Sequence, residues 1–248
     1  MIDIEEAQEL LNQTDELAKE VFESQEKMRS FLLTLSKMYN TSYSNILLLK
    51  NQREDISFVA NKERLEKYKY KVKDGEVPLK VIKRIKTEEG AKFKVEKVFD
   101  ISQTNAEKVK DKTYSKEYIE TMLKGMCARR GLTFEPNNPL QNIDNIIMNI
   151  RDNCRVGNFS VYSVDQYASQ TVAEVDATVF AVAKKLNINT RNYNLKDICK
   201  WGIDKDTRTL KDSLKYIQKF TNYFVKDFQT QEKLNNIDNE KNKEEEFE

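Results

Sequence analysis

The chain has 248 residues with 42 basic and 41 acidic side chains, a mean hydropathy of -0.74, and no histidine at all. Histidine is the side chain whose ordinary pKa lies near neutrality and the commonest zinc ligand and general base, so histidine triads and two-histidine zinc sites are excluded. The longest apolar run, Val179 to Ala183, is far below the roughly 20 residues of a transmembrane helix, and the acidic start lacks the basic region of a signal peptide, so no membrane partner and a cytoplasmic location are expected.

Leu10, Leu11, Leu17, Val21, Phe22, Met28, Phe31, Leu32, Leu35 and Met38 recur at three- and four-residue steps, which predicts one long helix or a helical pair. A break near Asn40 to Ser42 precedes a second helix over Asn45 to Gln52, capped by Ser42 or Ser44. From Tyr68 the period becomes two. Tyr68, Tyr70 and Val72 alternate with Lys69, Lys71 and Lys73, which predicts a strand with a basic face. Asp74-Gly75 marks a turn, and Leu79 to Lys86 and Lys92 to Ile101 read as two further strands. Lys62 to Lys97 holds 13 basic and 7 acidic residues, a net of +6.

Beyond a polar linker, Asn105 to Thr113, Ser115 caps a helix that carries Ile119, Met122 and Met126 and ends near Gly131. Ile143, Ile146, Ile147 and Ile150 form a helical stripe expected to be core, Ser163 and Gln166 form a capping box for a helix running to Leu186, and Leu210 to Phe228 marks the last helix. Gln231 to Glu248, with three lysines and seven acids, has no apolar period and is expected to be a disordered tail or frayed helix. Cys127, Cys154 and Cys199 form no CxxC pair and read as reduced, buried thiols.

Three blocks carry a resemblance. Ser42-Tyr43-Ser44-Asn45-Ile46-Leu47-Leu48-Leu49 with Gln52, then Val72-Lys73-Asp74-Gly75-Glu76, then Val98-Phe99-Asp100-Ile101-Ser102-Gln103-Thr104, resemble the N-terminal single-stranded-DNA-binding domain of ArdC-like and LtrC-like antirestriction proteins. The likeness covers about residues 10 to 105. The family's tyrosine before the serine is Thr41 here, and its tryptophan and glycine before the lysine-rich turn are Leu65 and Lys69. Further on, Glu174-Val175-Asp176-Ala177, Ala181 to Leu186, Tyr193 and Trp201 are similar to the helix that follows HExxH in ArdC-like zinc metallopeptidase domains, where the glutamate is a zinc ligand. In the HExxH place this chain has only Asn142 to Cys154, with Asn149, Arg151 and Asp152. A peptidase needs three converging metal ligands and a carboxylate base. The resemblance therefore implies a catalytically dead zincin-like remnant with no cofactor and no metal; Asp144, Asp152, Glu174 and Asp176 have no spacing that supports a magnesium site.

The expected fold class is α+β: N-terminal helices packed on a small, mainly antiparallel sheet (residues 1–105), a mostly helical remnant domain (106–230), and the acidic tail (231–248). The expected function is non-enzymatic binding of single-stranded DNA, by family analogy in the service of a plasmid, phage or other mobile element against host defence. A basic groove holds phosphates and aromatic rings stack on bases in such proteins. The contact candidates are Tyr43, Asn45, Gln52, Tyr68, Lys69, Tyr70, Lys71, Lys73, Lys83 and Arg84. Asn45 and Gln52, seven apart on one helix face, can equally bond a backbone segment. Two other classes remain open: an inhibitor that binds a host defence protein without DNA, and a residual metal-dependent hydrolase.

Overall fold

The computed structural model describes residues 4–87, 90–106, 112–154 and 164–245. In chain order the elements are α1 (Ile4–Phe22), α2 (Gln25–Lys37), α3 (Tyr43–Gln52), β1 (Val59–Ala60), α4 (Lys62–Lys67), β2 (Leu79–Thr87), β3 (Gly90–Asp100), a 3-10 turn (Ile101–Gln103), α5 (Lys116–Ala128), α6 (Pro139–Cys154), α7 (Val164–Lys185), α8 (Lys196–Gly202) and α9 (Thr207–Glu245). The fold is α+β, mostly helical, with one antiparallel three-stranded sheet in the order β1-β3-β2. The chain divides into two compact units. Residues 1–112 and 195–215 make the first; residues 113–194 and 216–248 make the second. Leu195 to Lys215, which the sequence places with the second half, thus groups with the N-terminal half.

In the first unit the helical pair is broken at Ser24, whose Oγ accepts from Lys27 N–H at 3.2 Å and caps α2. Ser42 caps α3 in the same way, accepting from Asn45 N–H at 3.3 Å. Ile46 to Leu49 are all buried, as are Phe31, Leu32 and Leu35 of α2. The base of the sheet belongs to this core: Leu79, Val81 and Val98 pack with Met38, Leu49 and Ile56. α8 closes the unit over α1, with Trp201 6.0 Å from Phe22. Gly202 lies so close to that ring that a Cβ would stand 2.5 Å from Phe22 Cδ1, so only glycine fits.

The segment Tyr68 to Lys73 is not a strand. Asn61 caps α4 by accepting from Arg64 N–H, and buried Leu65 anchors the helix. The helix ends in a Schellman motif: Tyr70 N–H donates to Leu65 O at 3.0 Å and Lys69 N–H to Glu66 O at 2.9 Å, with Lys69 left-handed at φ 62. Val72 makes one isolated antiparallel bridge to Thr104, outside the strands, flanked by Lys73 N–H to Gln103 O and Asn105 N–H to Lys71 O, both at 2.9 Å. The Tyr-Lys alternation therefore spans a helix end and a turn, and it puts no basic face on a sheet.

The second unit contains α5, α6, α7 and the part of α9 from Tyr216 on. Ser115 caps α5, accepting from Tyr118 N–H at 3.1 Å. The isoleucine stripe is core: Ile143, Ile146 and Ile147 are fully buried among Met122, Met126, Val175, Val179 and Phe224. Helix α9 continues to Glu245, beyond the expected start of a disordered tail. Polar packing replaces the missing apolar period there, since Gln231 is buried, accepts from Arg129 Nε at 2.6 Å and donates to Asn235 at 2.7 Å. The capping-box residue Ser163 lies outside the described residues, as does the side chain of Gln166. Cys127 and Cys199 are buried free thiols, and burial raises both pKa values. No helix among the described residues is long and apolar enough to cross a membrane.

Candidate nucleic-acid interface

β2 and β3 pair from Leu79↔Val98 out to Thr87↔Gly90, a nine-pair hairpin whose base is buried and whose outer half carries charge. Side chains alternate faces along it. Lys83, Lys92, Lys94 and Glu96 share one face; Arg84, Lys86, Phe93 and Lys97 share the other. Arg84 stands directly across from Phe93, whose ring is 37% exposed.

The face bearing Lys83 forms the floor of a cavity of about 260 Å³, with Val81 and Val98 at its base, Thr41 and Asn45 of the α3 end on one side, and Asn61 and Arg64 on the other. A second depression, lined by Asn61, Glu63, Arg64, Lys67 and Tyr68, shares Asn61 and Arg64 with the first. The two adjoin at Asn61 and Arg64, with Tyr68 lining one and Lys83 the other. Tyr68 is half exposed. Its ring is set by neighbours: Phe58 edge-on at 6.4 Å, Tyr70 at 6.2 Å, and the Arg64 guanidinium 6.0 Å above its centre. Inside the groove Glu96 accepts from Lys83 Nζ at 2.9 Å and from Asn61 Nδ2 at 3.5 Å.

The residues singled out in the sequence fall into three groups, with Asn45 in both the first and the third and Lys69 apart from them at the left-handed end of α4. Tyr68, Lys83 and Asn45 line these depressions, and Tyr70 supports Tyr68 from beside it. Arg84 lies on the opposite hairpin face. The third group is occupied in holding the fold. Asn45 Nδ2 donates to Ile82 O and its Oδ1 accepts from Ile82 N–H, both at 3.0 Å. Gln52 does the same one pair down the strand, donating to Lys80 O at 2.8 Å and accepting from Lys80 N–H at 2.7 Å. β2 is an edge strand, and residues 80 and 82 turn their backbone groups outward, so two amide side chains stand in for a missing fourth strand. Lys73 Nζ donates to Ser102 O at 3.0 Å, and the Lys71 backbone exchanges bonds with Asn105. Tyr43 is more than half buried on the other side of α3. Burial raises its pKa, and Asp212 and Asp15 add to the rise.

The most distinctive block, Asp100 to Thr104, is a structural knot. Fully buried Asp100 accepts from Ser57, Phe58 and Ser102 N–H at 2.9, 3.1 and 2.9 Å. Gln103 accepts from Asp100 N–H and donates to Val77 O and Glu76, which closes a capping box over the 3-10 turn. Arg64, Asn61 and Phe58 were not candidates in the sequence. The available signal was Asn61 three residues before Arg64 as a cap, and Arg64 four before Tyr68 on one helix face.

In the second unit Glu174 is fully buried and accepts from Arg151 Nη1 at 2.7 Å and from Gln170 Nε2 at 2.8 Å. Arg151 is itself 3% exposed and lies 5.7 Å over the Phe220 ring. Among the described residues no three of Cys, Asp or Glu converge. Searches with this chain against protein-family models, curated proteins and solved structures found no match.

Proposed function

We propose that the first unit binds single-stranded DNA, without catalysis, in the adjoining depressions lined by Tyr68 and Lys83. The observation that carries this reading is the exposed Tyr68 ring flanked by Arg64, which also lines the adjoining depression that holds Lys83 of the lysine-rich hairpin. A strand laid there stacks a base on Tyr68 and sets phosphates against Arg64, Lys67 and Lys83, while Lys92 and Lys94 extend the positive face. Phe93 with Arg84 offers a second stacking surface across the hairpin. The sequence likeness to ArdC-like antirestriction proteins supplies the biological setting: a plasmid, phage or other mobile element shielding its single-stranded DNA from host defence.

The second unit is read as a non-catalytic, zincin-like remnant. What supports this is the partner of Glu174. The carboxylate matching the family's zinc ligand is bonded to a guanidinium from the helix where the histidine pair would stand. A cation built from the chain itself thus neutralises a buried acid.

Fluorescence anisotropy with labelled single- and double-stranded oligonucleotides across a salt series tests the proposal. Single strands are expected to bind more tightly. With about four phosphates neutralised, log K is expected to fall with log salt at a slope of about -3. Tyr68→Ala is expected to weaken binding by about 5- to 160-fold, from the loss of one base stack worth about 1–3 kcal/mol. Binding that is absent, insensitive to salt, or indifferent to Arg64→Glu with Lys83→Glu refutes it.

A further inference from the structure

The depression that holds Lys83 also holds a group that a phosphate backbone avoids. Glu96 lines it beside Asn61, Arg64 and Lys83, and its side chain keeps 26% of its surface exposed. A carboxylate repels a phosphate at close range, so a strand lying here turns a base, not its backbone, toward Glu96. The carboxylate is also only half used. Oε1 accepts from Lys83 Nζ at 2.9 Å and from Asn61 Nδ2 at 3.5 Å. Among the described residues nothing donates to Oε2, and that oxygen stays within reach of solvent. The paired strands fix the arrangement: Lys83 stands opposite Lys94 and Glu96 opposite Val81, diagonal neighbours on one face of the hairpin. Lys83 and Glu96 thus present a donor, an acceptor beside it, and a second, open acceptor.

We propose that Glu96 and Lys83 read a guanine, displayed from a strand held in this groove; the inference rests on the single-strand reading above. The Watson–Crick edge of guanine runs O6, N1–H, N2–H, which is acceptor, donor, donor. That order complements Lys83 Nζ, Glu96 Oε1 and Glu96 Oε2, and the carboxylate receives both N–H groups at once. Thymine sets a second carbonyl against Oε2. Cytosine and adenine set a ring-nitrogen lone pair against Oε1. Each of the three loses the bidentate pair. Lysine has three donors, so Lys83 bonds Oε1 and O6 and keeps one for a neighbouring phosphate. Only the polar edge of the base is used, so an open depression suffices and no apolar enclosure is required.

Anisotropy with oligothymidylates that carry one central dG, dA, dC or deoxyinosine, against the all-thymidine strand, tests it. The dG strand is expected to bind about 5- to 160-fold more tightly than the other natural strands, the discrimination of one bidentate pair. Deoxyinosine, which keeps O6 and N1–H but lacks the 2-amino group, is expected to fall between. Glu96→Gln is expected to abolish the guanine preference and to raise affinity for the all-thymidine strand, because a negative charge leaves the groove; Trp201 fluorescence in urea checks that the variant is folded. Equal affinity for all four bases, with the all-thymidine strand bound, overturns the guanine assignment and leaves the groove reading standing, as does a preference that survives Glu96→Gln. Failure of every strand to bind overturns both. Free dGMP that competes as strongly as the dG strand overturns the placement of this site on DNA and gives it to a free nucleotide.

Discussion

Asn45→Ala separates a structural amide from a ligand contact. In the folded chain Asn45 makes two 3.0 Å bonds to the backbone of Ile82, a residue only 8% exposed. Truncation removes both bonds, each worth about 1 kcal/mol net, and leaves an N–H and a C=O with limited access to water. The expected loss is about 2–3 kcal/mol. Gln52→Ala, whose partner Lys80 is exposed, is expected to cost about 1 kcal/mol because water takes over the bonds. Asn45→Asp keeps the acceptor for Ile82 N–H but sets a carboxylate against Ile82 O, so it is expected to be at least as damaging as alanine. Trp201, the chain's one tryptophan, belongs to the first unit, so urea unfolding followed by its fluorescence reports on that unit alone. The midpoint should fall with the slope unchanged. The interpretation is refuted if Asn45→Ala stays within about 0.5 kcal/mol of wild type while single-strand affinity drops, because the amide would then be facing the ligand.

Three further outcomes are expected. Lys69→Gly should raise the stability of the first unit by about 0.5–1 kcal/mol in the same assay, because a side chain held at φ 62 pays a left-handed penalty that glycine escapes; a loss of stability would contradict the Schellman geometry. Arg151→Met strands the Glu174 carboxylate and should cost about 3–5 kcal/mol, whereas Arg151→Met with Glu174→Leu should recover most of it; helical circular dichroism on heating measures both, and a double variant no better than the single one would refute the pairing. Burial raises the Asp144 pKa, so the folded protein holds that proton more tightly than the unfolded chain. Its ionisation therefore weakens the fold as pH rises from the ordinary aspartate range through the raised value, and Asp144→Asn should stabilise the chain at neutral pH, with the gain vanishing below that range. A denaturation midpoint that is equal for both proteins at pH 7 would count against this.

What could be read from the sequence was whatever depends on near neighbours. Ser42 and Ser115 announce helix starts because a hydroxyl three residues before a free N–H is a local event. The isoleucines of α6 declare a buried face by spacing alone, and the β2 and β3 runs alternate as a hairpin with one base and one tip. Tyr68 to Lys73 misled because a period of two is also produced when a short helix stops: Leu65 carbonyl bonding, set by a buried leucine three residues earlier, outweighs the alternation that follows it.

The same distinction moves the candidate site. Motif residues such as Asn45, Gln52, Asp100 and Gln103 look like ligand contacts in a sequence because polar groups at fixed spacing imply fixed partners. Here those partners are backbone groups of this chain, 28 and 37 residues away for Gln52 and Asn45. A side chain whose donors and acceptors are both used by the fold has little left with which to hold a nucleotide. On the proposed reading, recognition would fall instead to side chains that make no bond to these backbone segments: the exposed ring of Tyr68, the Arg64 guanidinium above it, and the cations of the hairpin, of which Lys83 is already paired with Glu96. If that division holds, substitutions at Asn45 and Gln52 change stability in proportion to lost bonds and leave the salt slope of binding intact. Substitutions at Arg64 and Lys83 reduce that slope by about one each while leaving the unfolding midpoint almost unmoved.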